Sequence, residues 1–242
     1  MTQQKATLTR PDQLEQEHKQ QLRRYFDGVG FERWAAIYGQ GELSSVRRSI
    51  REGHTSMLAQ AEAWLDEQTF PADARALDAG CGTGLFSTAL ARRGFAVTAI
   101  DIAPQMVHAA VAQSEQAGVR ERINFVTGDL ETIRGSYDVV ACFDVLIHYS
   151  QSGFAPMCRR LAQSCRETLL LTYAPHNQLL AMMHWLGGHF PKSQRRTEIQ
   201  MMSDSFVAQT LATAGMRVCR SVRVSKGFYH VTLLEARREE AL

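Results

Sequence analysis

Apolar and polar positions fall into three regimes along the 242-residue chain. Residues 11–68 read as helical throughout. Pro11-Asp12 opens a helix that runs to Phe26, and Asp27-Gly28-Val29-Gly30 breaks it. Phe31 to Tyr38 forms a short second helix, stopped by Gly39 and Gly41, and Ser44 or Ser45 caps a third that extends to about Glu67. From residue 73 to 174 the apolar residues come instead as short continuous runs separated by helical stretches. Arg75–Leu77, Phe95–Ile100, Ile123–Val126, Tyr137–Phe143 and Thr168–Tyr173 read as buried strands, with a helix from Leu85 to Arg93 closed by Gly94. Such alternation predicts an α/β fold around a mostly parallel sheet. After an insert rich in Met, His and Trp, Pro175 to Met202, come a helix (Asp204–Ala214, ended by Gly215) and two strands, Arg217–Val224 and Phe228–Ala236. The expected organisation is a disordered lead-in at 1–10, a helical segment at 11–68, and a sheet domain at 69–242 that carries the 175–202 insert.

Within that frame the stretch from Leu77 to Gly84, Leu-Asp-Ala-Gly-Cys-Gly-Thr-Gly, sits where a strand hands over to a helix. Three alternate glycines remove the Cβ atoms that would hold a ligand away from the backbone. Asp78 ends the strand. One βα unit later the next strand ends in Asp101, followed by Ile102; an acidic side chain there can accept from both hydroxyls of a ribose. Gly128-Asp129-Leu130 follows the third strand, with Asp129 placed to accept from an adenine amino group and Leu130 to lie against the ring. Asp144 ends the fourth. Ligands of open parallel sheets bind along this edge, although Asp129 and Asp144 are also ordinary turn and cap formers.

The Asp-x-Gly-x-Gly-x-Gly pattern resembles motif I of the class I methyltransferases that use S-adenosylmethionine (SAM). The resemblance implies a Rossmann-like sheet of seven strands, the last antiparallel. It also implies a cofactor site at Asp78, Gly80, Cys81, Gly82, Gly84, Asp101, Ile102, Gly128, Asp129, Leu130 and Asp144. A dinucleotide-binding dehydrogenase is the rival reading. Its fingerprint places the third glycine one residue later and a pyrophosphate on the helix N-terminus. Asp78 would repel a pyrophosphate and attract the ammonium of a methionine tail.

Composition narrows the class. Apolar residues make up 45%, enough for a sizeable core, and a net charge of +2 with no basic stripe does not point to a nucleic-acid substrate. Five cysteines without a Cys-x-x-Cys pair point to reduced thiols and a cytoplasmic protein. No apolar run approaches a membrane span, and no signal peptide is expected. His176, His184 and His189 match no zinc spacing, so no metal site is expected.

A second set of motifs is more specific. Tyr25-Phe26-Asp27, Gly30-Phe31-Glu32-Arg33-Trp34, Ile37-Tyr38-Gly39, Arg51-Glu52-Gly53-His54, Phe143–Tyr149, Thr172–Pro175 and Gly227-Phe228-Tyr229 together resemble the magnesium-protoporphyrin IX O-methyltransferases of bacteriochlorophyll and chlorophyll synthesis. The likeness runs from Tyr25 to Ala236, with Ser150 where the family often has proline and His230 in a Phe-Tyr-His-Val variant of its last motif. It implies methyl transfer from SAM to one propionate of magnesium-protoporphyrin IX, a helical lid in residues 11–68, and a substrate-side insert at 175–202. His148 and Tyr38 are then the candidate catalytic residues, and Arg33, Trp34, Tyr38 and His148 the candidate substrate contacts. Arg47, Arg48, Arg51, Lys192, Arg195 and Arg196 are candidate partners for the second propionate. Met182, Met183, Met201, Met202 and Trp185 suit a flat pocket. The apolar–basic stretch Leu186–Lys192 suits loose docking on a membrane, and contact with a magnesium-chelatase subunit fits delivery of so insoluble a substrate. Two other readings stay open: a methyltransferase acting on a quinone or phenol, and a porphyrin carrier or chelatase activator without catalysis.

Overall fold

The computed structural model describes residues 10–38, 42–176 and 199–239. Chain order is α1 (Arg10–Phe26), α2 (Val29–Tyr38), α3 (Ser45–Asp66), β1 (Arg75–Ala79), α4 (Leu85–Arg92), β2 (Ala96–Asp101), α5 (Pro104–Gln116), β3 (Ile123–Thr127), β4 (Tyr137–Cys142), α6 (Gln151–Ser164), β5 (Cys165–Pro175), β6 (Met201–Met202), α7 (Asp204–Thr213), β7 (Met216–Lys226) and β8 (Tyr229–Arg238). The lead-in at 1–9 and most of the insert, including Met182, Met183, His184, Trp185, the 186–192 stretch, Arg195 and Arg196, lie outside the described residues, as do Gly39 and Gly41.

The strands form one sheet in the order β3-β2-β1-β4-β5-β8-β7, with the two-residue β6 pairing with β5 off that path. β1 to β5 run parallel; β8 lies between β5 and β7 and is antiparallel to both. The Rossmann-like expectation therefore holds, with β6 as a small eighth strand at the end of the insert. Strand order reverses between β1 and β4. The crevice beyond their C-terminal ends is where such sheets bind ligands, and Asp78 and Asp144 arise there.

Alternation along the strands explains the two layers of core. Leu77, Val140, Leu169 and Leu171 face α6 and α7, and Leu22 of α1 joins that cluster. Ala76, Val139, Leu170 and Leu233 face the other way, onto Met57, Ala61, Trp64 and Leu65 of α3 and Phe86 and Leu90 of α4. Because both faces are covered, apolar residues stand at consecutive positions, Ala76-Leu77 in β1 and Val139–Cys142 in β4, rather than at alternate ones. α3 begins at its Ser44 cap, whose hydroxyl accepts from the Arg47 N–H. Its second half is core, and its first half reaches the crevice.

Two local expectations need correcting. Gly30 does not break the chain: α2 starts at Val29 and includes it. A Cβ on Gly30 would sit 2.9 Å from the Tyr25 ring, so this glycine serves the close crossing of α1 and α2. β5 is also longer than its apolar run, because β4 pairs with it from Cys165 and β6 extends the pairing to Pro175.

Gly53 makes a similar close approach inside α3. A Cβ there would lie 2.5–2.7 Å from the Cδ1, Cβ and Cγ of Tyr229, atoms near the root of a buried side chain. Alanine gains about 1 kcal/mol in helix propensity, but overpacking at a rigid contact costs roughly 1–3 kcal/mol. Gly53→Ala is expected to lower the urea midpoint at unchanged m-value; a raised midpoint would show that the α3–β8 contact yields easily.

Candidate active site

The three glycines of the turn do different jobs. All have positive φ: 82° at Gly80, 52° at Gly82 and 81° at Gly84. A Cβ on Gly80 would strike Val145 at 2.1 Å, and one on Gly84 would meet Ala110 at 2.7 Å, so these two permit close packing behind the turn. Only at Gly82 would a Cβ enter open space. The expectation that every glycine clears room for a ligand is thus narrowed to Gly82. The turn is tied to β2 by the N–H groups of Gly80 and Cys81, which both donate to the Ile100 carbonyl at 2.7 and 3.0 Å.

Two carboxylates flank this turn. Asp101 accepts the Gly82 N–H on one oxygen (3.0 Å) and the Ala103 N–H on the other (2.9 Å). Asp78 is 3% exposed and accepts the Ser87 hydroxyl at 2.5 Å. Burial pushes Asp78 up to about 6, against the pull of Ser87, and the neighbouring Asp101 adds to the rise. Burial also raises Asp101, opposed by its backbone donors. Both groups sit in a low-dielectric cleft where a cationic ligand would be favoured.

The opposite wall is built from distant segments. Asp144 follows β4 with φ 56°, a left-handed conformation that Asp tolerates better than most residues. Its N–H donates to the Thr172 hydroxyl at 2.7 Å; that hydroxyl lies 3.1 Å from Oδ1, and the Tyr229 hydroxyl donates to Oδ2 at 2.9 Å. His54 of α3 places Nε2 3.9 Å from the same Oδ2, while its Nδ1 meets the Tyr38 hydroxyl. Trp34 stacks parallel to Tyr38 at 6.0 Å. Burial drives the phenol of Tyr38 up, and the Asp144 charge adds to it while Arg51 opposes. His148, in the 3-10 turn after β4, packs edge-on against Phe26 of α1 at 5.2 Å.

α1 and α2 close over the crevice. The His18 Nε2–H donates to the His148 carbonyl at 2.9 Å, and Lys19 pairs with Asp129 and Glu131. Asp27 accepts the Gln105 N–H at 2.9 Å, capping α5, whose own cap position is Ala103. The cleft beneath encloses about 1010 Å³, counting its open mouth.

Asp78, Gly80, Cys81, Gly82, Asp101, Ile102, Asp129, Leu130 and Asp144 all line this one cleft, together with Trp34, Tyr38 and His148. Among the described candidates, Gly84, Gly128, Arg33, Arg47, Arg48 and Arg51 do not line it, nor do Met201 and Met202, which form β6 against β5, with Met202 buried in the core. Gly84 supports α4 against α5, Gly128 donates its N–H to the Asp101 carbonyl, and Arg33 donates to the Tyr25 hydroxyl. Asp129 also accepts the Glu131 N–H and so caps a short turn. Arg47 and Arg48 are exposed, and His176 is exposed at the end of β5. His54 and Thr83 line the cleft without having been singled out, and Tyr229 closes its back wall through Asp144. All three sit inside the sequence motifs, Thr83 in the glycine turn and His54 and Tyr229 in the more specific set. Among the described residues no three His, Cys, Asp or Glu side chains converge as metal ligands, and no helix is long and apolar enough to cross a membrane.

A family profile described as "Magnesium-protoporphyrin IX methyltransferase C-terminus" matches residues 142–238, and one described as "Methyltransferase domain" matches residues 76–168. The chain is 34% identical over 218 residues to the magnesium-protoporphyrin O-methyltransferase of Synechocystis, covering 90% of this chain and 95% of that one. It is 34% identical over 220 residues to the chloroplastic magnesium protoporphyrin IX methyltransferase of Arabidopsis thaliana, covering 90% of this chain and 70% of that one. The crystal structure of magnesium protoporphyrin IX methyltransferase from Synechocystis with bound SAH superimposes with a TM-score of 0.83 at 33% identity, covering 91% of this chain and 100% of that chain. Similarity of this extent spans the glycine turn, the helical cover and the closing β7–β8 pair alike, and on it the chain belongs to the magnesium-protoporphyrin O-methyltransferase family.

Proposed function

We propose that this protein transfers a methyl group from SAM to one propionate carboxylate of magnesium-protoporphyrin IX, giving the monomethyl ester and S-adenosylhomocysteine. The observation that carries it is the meeting of two walls in one cleft: the open Gly82 backbone with Asp78 and Asp101 on one side, and Tyr38, Trp34 and His148 on the other. The cofactor supplies a methyl group already activated by a sulfonium. Asp78 is placed to hold its ammonium, Asp101 its ribose hydroxyls, and Asp129 with Leu130 its adenine; the turn from Gly80 to Gly82 holds the chain between them.

A propionate has a pKa near ~4.3, by analogy with Glu, so the acceptor needs no strong base. The work left to the protein is alignment and exclusion of water. Holding the reacting atoms in line is worth roughly 7–11 kcal/mol. In this reading Tyr38 and His148 orient the carboxylate, and Trp34 offers a flat face to the macrocycle. Leu22 and Phe26 of α1 keep the site dry, which strengthens each polar contact inside it. Among the propionate candidates within the described residues, Arg51 is the one whose charge acts on Tyr38. A phenol acceptor would instead need a general base matched to a higher pKa. We place the protein in the cytoplasm, with loose membrane docking favoured by the insolubility of substrate and product. Handover of the porphyrin from a magnesium-chelatase subunit belongs with this reading.

Incubation with SAM and magnesium-protoporphyrin should add the mass of one methyl ester; quenching of porphyrin fluorescence without that gain would favour a carrier. Tyr38→Phe and His148→Ala are expected to lower kcat by about 10²-fold with SAM affinity unchanged; full turnover in both would remove them from the mechanism.

Asp78 makes cofactor binding pH-dependent. Binding of the ammonium needs the ionised carboxylate, so SAM affinity should fall, by up to tenfold per pH unit, as pH drops below about 6. The same shift carries the opposite sign for the ligand-free protein. The folded pKa lies above the unfolded value, so the group weakens the fold at neutral pH, and the loss disappears as pH falls from about 6 towards 3.8. The cost is on the order of 3 kcal/mol. Asp78→Asn should therefore raise the ligand-free Tm at pH 7.5 while flattening the pH dependence of SAM binding in calorimetry. A lowered Tm would show that Asp78 is structural.

A further inference from the structure

We propose that His54 is a positioning residue that sets the direction of the Tyr38 hydroxyl, and that it takes up one proton from solvent when an anionic acceptor enters the cleft. This rests on the carboxylate-acceptor reading above.

The geometry points to it as follows. The His54 side chain is 14% exposed and is boxed in by the rings of Trp34, Tyr38 and Tyr229, at centroid distances of 5.4, 5.7 and 6.1 Å. Its two nitrogens face different chemistry. Nε2 points at Oδ2 of Asp144, a carboxylate that only accepts; Nδ1 meets the Tyr38 hydroxyl. Asp144 cannot swing away, because Thr172 and Tyr229 hold both its oxygens. A neutral imidazole beside that carboxylate carries its hydrogen on Nε2. Nδ1 is then an acceptor, and the Tyr38 O–H must donate inward to it. Burial, only partly offset by Asp144, favours this neutral form in the ligand-free protein.

In that state Tyr38 shows lone pairs to the cleft. A carboxylate arriving there meets an acceptor where it needs a donor. One added proton removes the conflict. With both nitrogens protonated, Nδ1–H donates to the Tyr38 oxygen, and the freed O–H turns to the incoming carboxylate. The imidazolium then lies between two anions, Asp144 and the acceptor, which compensate its charge. The charged and titratable groups facing His54 are Tyr38 from α2, Asp144 after β4 and Tyr229 from β8, with Arg51 one turn earlier on α3 acting through Tyr38. A neutral phenol donates its own hydrogen bond, so it would demand no such change. The relay therefore favours anionic over neutral acceptors.

The test uses the full-length protein saturated with S-adenosylhomocysteine, with ¹⁵N-labelled histidine and magnesium-protoporphyrin as the probe. His54 is expected to give the Nε2–H imidazole signature without porphyrin and the imidazolium signature with it. Calorimetry in buffers of different ionisation enthalpy should count close to one proton taken up per porphyrin bound, and none for Tyr38→Phe. In turnover assays His54→Ala should lower kcat/KM for the porphyrin by roughly 10- to 100-fold, the loss of one charge-assisted hydrogen bond, with the SAM KM unchanged. Combining it with Tyr38→Phe should add nothing further, and His54→Asn should recover part of the loss with a flat pH profile. Binding without proton uptake, uptake that persists in Tyr38→Phe, or additive losses in the double variant would each overturn the proposal. Failure of the wild-type protein to bind the porphyrin would sink the carboxylate-acceptor reading itself, and this inference with it.

Discussion

A buried carboxylate held by a hydroxyl, rather than by a cation, is the constraint around which the rest of the structure is arranged. Asp78 lies at the reversal point of the sheet, where both faces are covered and water is excluded. Burying charge in such a place is costly unless something answers it. The fold answers only in part, with Ser87 from α4 and backbone N–H groups for the neighbouring Asp101. The remainder is left to a cationic ligand. That incomplete compensation favours a ligand that brings positive charge to the turn.

The cover above the site is tied down by polar links at points that themselves belong to the cleft. His18 holds the carbonyl of His148, Lys19 holds Asp129, and Asp27 supplies the cap that α5 lacks. Cofactor wall and cover are thus not independent parts. A movement of α1 that admitted a large flat substrate would release His148, Asp129 and the first turn of α5 together. α3 differs. Its second half is core, and the His54 that it presents is boxed in by the rings of Trp34, Tyr38 and Tyr229.

Much of this was legible in the chain. The alternation of apolar runs and helices pointed to the sheet and its closing pair, and the glycine turn with Asp101 one unit later to one wall of the cleft. These are local signals, each carried within a single βα unit. What escaped was non-local. The roles of Gly30, Gly53, Gly80 and Gly84 depend on what lies across from them (Tyr25, Tyr229, Val145 and Ala110), and no spacing reveals that. The Tyr38–His54–Asp144–Tyr229 cluster draws on four segments that meet only after folding. Arg33 sat in a specific-looking motif, yet its guanidinium serves the α1–α2 junction through Tyr25. Motif membership marked the right neighbourhood and could not separate a cleft-facing side chain from one that braces the helix beside it.

The placement of β8 has a consequence for how the protein comes into being. β7 leaves the ribosome before β8, yet its ladder partner among the described strands is β8, which inserts between it and β5. The nascent chain therefore carries a long unpaired strand until the final segment threads into the gap. That same segment brings Tyr229 to Asp144. The wall of the cleft that Tyr229 buttresses through Asp144 therefore cannot be completed until β8 has been made.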